Sequence, residues 1–165
     1  TLYADTDVTA LGSGNIGTTN VNRVLGRRFA LPTLAGDVLK GLLPVLLAPS
    51  VLDNAWFPGV VGLVAFCGHC WSAYLDFRGG KGVATAGGVM LGLAPMAALL
   101  VATAWGATAM FTKRSSLGAL VGAIALPSVV GGLHPELLWV SLLLGLGVLI
   151  RHRENISRLL AGIEH

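Results

Sequence analysis

Five long apolar stretches, at residues 31–52, 55–75, 83–111, 117–133 and 135–150, are joined by short connections that carry most of the charge. About 20 apolar residues suffice for a helix to cross the hydrocarbon of a bilayer. Inside lipid each unpaired backbone group costs several kcal/mol, so spans of this kind must be helices. No strand alternation, fixed-period repeat or low-complexity tract competes with that reading. Composition agrees. Only 12% of the 165 residues are charged and 54% are hydrophobic, whereas a soluble domain carries about 25% charged residues. The mean hydropathy is +0.75, and 23 glycines suit helices whose backbones approach closely in a membrane. A disordered chain is excluded, and the composition counts against a water-soluble globule. The class is an all-α polytopic integral membrane protein. Two cysteines cannot build a disulfide framework, and the net charge of +3 matters less than where the cations stand.

Apart from Lys40, the cations fall in four clusters: Arg23/Arg27/Arg28, Arg78/Lys81, Lys113/Arg114 and Arg151/Arg153/Arg158. Lys and Arg gather in cytoplasmic loops. Two apolar stretches separate the first cluster from the second, and two separate the third from the last. Only residues 83–111 lie between the second and third, and a single crossing there would put half the clusters outside. That stretch is also longer than one span requires, and Gly87, Gly88, Gly92 and Pro95 offer a break. Two helices, over 83–93 and 95–111, return every cluster to one side and give six helical segments. At 1.5 Å per residue the first would measure only about 16 Å. It cannot cross alone, so either the loop before it dips into the protein or the bilayer thins.

Three polar islands interrupt the apolar text. The first runs from Gly12 to Asn20 and is followed by Arg23. Its glycines permit tight curvature, so that successive N–H groups can converge on an anion. Ser13, Thr18 and Thr19 add hydroxyls, and Arg23 can fork onto a phosphate. The plainer alternative is a turn and helix cap with Thr19 or Asn20 at the N-cap. The second island, Phe77 to Thr85, places Gly79, Gly80, Lys81 and Gly82 before a helix whose N-terminus favours anions. It is not a nucleotide-binding P-loop, because Lys81 is followed by glycine and residue 75 is leucine. The third, Arg151 to Arg158, sets His152 and Asn155 on one helical face. A basic flank against anionic lipid accounts for its arginines but not for that histidine and asparagine. The charge count brings all three to the same face of the membrane. The residues alone therefore point to a membrane protein that handles an anionic, lipid-linked substrate.

The segments GSGNIGTTNVNR, GHCWSAYLDFRGGKGVAT and RHRENISRLLAGIE resemble the three signature motifs of the bacterial acyl-phosphate:glycerol-3-phosphate acyltransferases of the PlsY type. Their order and the apolar segments between them agree, as does residues 33–41 with Asp37 and Lys40. The resemblance implies transfer of a fatty acyl group from acyl phosphate to the sn-1 hydroxyl of glycerol 3-phosphate, giving lysophosphatidic acid and phosphate for phospholipid synthesis. It implies a bacterial inner-membrane protein whose active site faces the cytoplasm. By the motifs, Ser13, Arg23, Lys81, His152 and Asn155 are the catalytic candidates. Gly12, Gly14, Asn15, Gly17, Thr19, Asn20, His69, Gly79, Gly80 and Gly82 are the candidates for holding substrate phosphate. Asp37 and Lys40 are expected to pair within their helix. Membrane lipid is the surrounding partner. No cofactor, metal, nucleic acid or protein partner is expected. The family carries a further N-terminal transmembrane helix, seven in all, so residues 1–165 read as a single acyltransferase domain lacking its first helix, from a fragment or processed chain. Trp71-Ser72 departs from the aromatic-proline pair usual after Gly-His in the second motif, a change expected to touch local packing.

Two other readings compete. Cys67-Gly68-His69-Cys70 has the spacing of a thiol–disulfide centre, but that chemistry expects a βαβ setting, and a zinc site would need further ligands. Two small apolar core residues are the simpler account. A small transporter of phosphate-bearing solutes would also use intramembrane charge and broken helices, yet no inverted repeat is visible and the islands share one side. No histidine is followed by aspartate five positions later, which argues against thioester chemistry of the H-x-x-x-x-D type. The proton of the attacking hydroxyl is expected to pass to an oxygen of the acyl phosphate itself.

Overall fold

The computed structural model describes residues 6–163. Among these, eight α-helices run in the order α1 Thr18–Leu25, α2 Arg27–Leu47, α3 Phe57–Cys70, α4 Val83–Leu93, α5 Pro95–Thr112, α6 Ser115–Leu133, α7 Leu138–Arg151 and α8 Arg153–Leu160. Single 3₁₀ turns cover Ala48–Ser50, Ala73–Leu75 and Pro135–Leu137. The six apolar segments are α2 to α7. Helices α2, α3, α5 and α6, α2 and α3 counted with their 3₁₀ extensions, are long and apolar enough to cross a membrane, and α7 with its 3₁₀ turn passes the same test only together with α8, from which it is bent by 59°. The protein is an all-helical integral membrane protein.

The long stretch breaks where the charge count requires. Ala94 leaves the helical region (φ −147°, ψ 77°), and Pro95 opens α5, a position where its missing N–H costs nothing. Helix α4 is a short helix of 11 residues. In lipid, apolar contact alone gives helices little reason to associate, so close packing of small residues matters more. The notches are visible. A Cβ on Gly41 of α2 would strike the Thr85 carbonyl of α4, and one on Gly88 of α4 would strike the Val38 carbonyl of α2. Gly145 of α7 lies over the Ala123 carbonyl of α6 in the same way. Phe66, Val89, Met90, Val130, Val140 and Leu144 fill the centre between these helices. Leucines and valines such as Leu46, Val64, Leu99, Leu142 and Leu146 stay exposed on the outer surface, as lipid-facing side chains should.

The two ends of the bundle differ. At one, the Trp56 and Trp139 rings stack with centroids 5.0 Å apart, the amphipathic aromatic furniture of a membrane interface. At the other, the Thr19 and Ser115 hydroxyls join the start of α1 to the start of α6, and Arg151 at the end of α7 reaches the loop before α4, which brings the second and fourth basic clusters together. Two local expectations need correction. Helix α1 starts at Thr18 with Gly17 at the N-cap and no side-chain cap, so neither Thr19 nor Asn20 performs that task. The third island is not one straight helix, because the chain turns at His152 between α7 and α8.

Candidate active site

The second island folds under the end of α3. Gly79 and Gly80 are buried, and the Gly80 N–H donates to the His69 carbonyl at 3.1 Å. A Cβ on Gly79 would strike that carbonyl, and one on Gly80 would strike the His69 ring. Gly82 turns through φ +79° against the Phe66 ring, a left-handed conformation that suits glycine. Asp76 and Phe77 take positive φ just upstream, which is costly for residues with a Cβ. The loop is thus held by its neighbours. It dips into the protein, and that lets the short α4 start below the surface of the bundle.

Arg151 clamps the loop from the third island. Its Nε donates to the Gly80 carbonyl at 3.1 Å and its Nη2 to the Gly79 carbonyl at 2.8 Å, while the guanidinium lies 5.6 Å from the centre of the Trp71 ring. Beside it Lys81 Nζ donates to Asn155 Oδ1, and Asn155 is 5% exposed. His152 is equally buried, with Nδ1 2.8 Å from the Val148 carbonyl. A carbonyl only accepts, so Nδ1 carries the hydrogen and the lone pair of the neutral ring is on Nε2. Lys81 and Asn155 therefore meet at the N-terminus of α4, where the helix dipole adds to the ammonium charge, and His152 is buried at the turn that leads into the helix carrying Asn155. Such a centre can hold a phosphate and orient a hydroxyl-bearing partner.

The first island behaves differently. Asn20, 2% exposed, accepts the Ser13 N–H at 2.8 Å and donates to the Val8 and Leu11 carbonyls at 3.0 and 3.1 Å. Asn15 Oδ1 accepts the Gly17 N–H at 2.8 Å, and the Gly14 N–H reaches the Leu11 carbonyl at 3.0 Å. The N–H groups of Ser13, Gly14 and Gly17 are thereby spent within the loop. Those three groups do not converge on a common point, and Asn20 organises the loop. Gly12 (φ +62°) and Gly14 (φ +67°) supply the left-handed turns. Asp7 adds a smaller turn: the hydroxyl and N–H of Thr9 both bond its carboxylate and hold it below its ordinary pKa. Ser13 and Arg23 are exposed, with no hydrogen bond to the Lys81–Asn155 centre. Thr19 meets Ser115 of α6, oxygen to oxygen, at 3.3 Å. Ile16 reaches a cleft of about 440 Å³ lined also by Lys40, Pro44, His69, Ser72 and Leu75, where the first island adjoins α2 and the end of α3.

Asp37 and Lys40 pair at 2.7 Å as expected. His69 joins them through Nδ1, with its Nε2 edge toward Gly80. Cys67 and Cys70 are free thiols, one exposed and one buried, and Cys70 Sγ packs beneath Gly82. Arg151 and Trp71 were missed as site-builders. The sequence shows Arg151 only as one more flanking cation, and nothing local tells that two glycine carbonyls will face it.

A profile for glycerol-3-phosphate acyltransferases matches residues 1–162. The chain belongs to the glycerol-3-phosphate acyltransferase family. Relatives of this acyltransferase bearing that name include one from Geobacter sulfurreducens, 45% identical over 96% of this chain and 83% of the relative. Another, from Pseudomonas aeruginosa, is 46% identical over 98% of this chain and 86% of its own length. Among solved structures, the acyltransferase is similar to the glycerol 3-phosphate form of PlsY (YgiH), an integral membrane glycerol 3-phosphate acyltransferase. The TM-score is 0.92 at 34% identity, covering 98% of this chain and 82% of that one. The lysophosphatidic acid form of PlsY gives 0.88 at 35%, covering 93% and 80%.

Proposed function

We propose that this acyltransferase takes its acyl group from acyl phosphate and passes it to the sn-1 hydroxyl of glycerol 3-phosphate at the cytoplasmic face of a bacterial inner membrane. The observation that carries the reading is the Lys81–Asn155 hydrogen bond, which joins the second and third islands into one cationic, hydrogen-bonding centre. PlsY, solved with glycerol 3-phosphate and with lysophosphatidic acid, supports the choice of acceptor and product. The positive-inside count over the four basic clusters supports a cytoplasmic site.

In this reaction the glycerol oxygen attacks the acyl carbon, the acyl–oxygen bond to phosphate breaks, and the hydroxyl proton passes to an oxygen of the departing phosphate. The products are lysophosphatidic acid and inorganic phosphate. Lys81 neutralises the phosphate of glycerol 3-phosphate, Asn155 and His152 orient the acceptor, and Ser13 and Arg23 close on the donor phosphate from the first island. The apolar helices take the acyl chain. Electrostatic stabilisation by fixed groups is commonly the largest catalytic contribution, and an acyl phosphate brings its own proton acceptor to the reacting carbon. His152 holds its Nδ1 hydrogen on the Val148 carbonyl, which fixes the ring for orientation.

Phosphate release by detergent-solubilised protein tests the reaction: release is expected only when acyl phosphate and glycerol 3-phosphate are both present. Release that ignores glycerol 3-phosphate would refute it. A thiophosphate donor should move the acidic limb of the kcat/KM profile. A limb that stays fixed with this donor but vanishes in His152→Gln would instead make His152 the base. Cysteine placed at Ser116 should be labelled from the cytoplasmic side, and labelling from the outside alone would overturn the sidedness.

A further inference from the structure

Asp37, Lys40 and His69 form a polar cluster that the reaction above does not use. Asp37 lies ten residues into the apolar helix α2, about 15 Å from its start, yet is 7% exposed. Charge at such a depth is expensive and marks function. Lys40 Nζ donates to Asp37 Oδ1 at 2.7 Å and lies 3.4 Å from His69 Nδ1. An ammonium has only hydrogens to give, so Nδ1 is the acceptor and the ring hydrogen sits on Nε2. The 3.6 Å approach of Nδ1 to Asp37 is then a contact between two acceptors, bridged by Lys40. The Nε2 edge of the ring faces Gly80, where a Cβ would strike it. The His69 carbonyl also receives the Gly80 N–H. Lys81 is the next residue.

We infer that Asp37 and Lys40 are positioning residues: Lys40, held by Asp37, ties α2 to His69, and His69 fixes the Gly80 backbone from which Lys81 reaches the substrate phosphate. The inference rests on the proposed role of Lys81. Lys40 is half-exposed toward the cleft, but the carboxylate beside it cancels its charge, which makes it a poor phosphate ligand and a good strut. Misplacing a binding group by about 1 Å can cost up to roughly a hundredfold, so the strut has a measurable consequence.

The test is steady-state kinetics of the full chain in detergent, with glycerol 3-phosphate varied. Lys40→Met removes the bridge while keeping the stem. Asp37→Asn/Lys40→Met removes both charges, leaves no stranded carboxylate, and decides the matter should the single variant not fold. KM for glycerol 3-phosphate is expected to rise about tenfold with kcat changed less. In a Lys81→Arg background, where the ammonium geometry is already lost, the same substitutions should add less than about twofold. An unchanged KM overturns the inference. So does a full tenfold effect in the Lys81→Arg background, which would put Lys40 on the substrate independently of Lys81. If Lys81→Arg and Lys81→Met themselves leave KM and kcat intact, the role of Lys81 falls first and the strut with it. An effect of Lys81 substitutions with none from Lys40→Met removes the strut alone.

Discussion

The two glycine-rich loops look interchangeable in the sequence and are built on opposite plans. The first closes on itself. Asn20, Asn15 and the Leu11 carbonyl satisfy the N–H groups of Ser13, Gly14 and Gly17, and its glycines serve turns. The second makes few bonds within itself and is held from outside, by the His69 carbonyl, the Arg151 guanidinium and the Phe66 ring. Its glycines serve close approach. Glycine enrichment thus reports a backbone under constraint without saying whether local hydrogen bonds or neighbouring helices impose it. The self-closed loop can present Ser13 and Arg23 as exposed groups. The braced loop can hold Lys81 at a fixed place beside Asn155.

The sharpest way to break that contrast is Lys81→Met, expected to lower kcat/KM by about a hundredfold or more, the scale on which one preorganised electrostatic contact acts. The same assay on Ser13→Ala should show a smaller loss, since a lone exposed hydroxyl carries less than a braced charge. Arg151→Leu comes next. It leaves two buried glycine carbonyls without their donor, at about 1–3 kcal/mol, and should lower both thermal stability and turnover. Arg151→Lys should rescue little, because an ammonium cannot reproduce the fork. Recovery of full activity in Arg151→Lys would reduce the clamp to simple charge.

Asn20→Ala should cost about 1–3 kcal/mol of stability, read by thermal unfolding in detergent, while the folded fraction keeps a normal KM for glycerol 3-phosphate. A raised KM would return Asn20 to the substrate. Cys67→Ala/Cys70→Ala should leave turnover nearly unchanged and lower stability by about 1 kcal/mol through the cavity under Gly82. The smallest effect is on acidification. Asp7 is held below its ordinary pKa by Thr9, so its contribution is present above the unfolded carboxylate range and is lost as pH falls through the lowered folded value. Exchange of the Thr9 amide should quicken in that acidic window with the Gly80 amide unaffected, since one turn is local and the other is not.

Much of the fold was legible beforehand. The split at Ala94 followed from the placement of Lys113 and Arg114, because a charge left on the wrong side of a membrane is a global cost that a local sequence pattern records. The Asp37–Lys40 pair followed from helical spacing. The sequence singled out His152 and Asn155 as one helical face, and the bend at His152 was not legible in it. Arg151, Trp71 and the loop-closing use of Asn20 were not visible, for each depends on where a distant carbonyl or ring arrives.

The sequence by itself determined the solvent and the number of apolar helices, since hydropathy and charge act residue by residue and need no partner, while the family was legible only through the resemblance of three motifs. Tertiary structure decided which glycine loop is self-contained, which nitrogen of His69 and His152 carries hydrogen, and that Lys81 meets Asn155 while Lys40 meets His69. The last two contacts join residues 74 and 29 positions apart, and a hydrogen bond of that kind is specified by two atoms whose separation is set by the packing of helices.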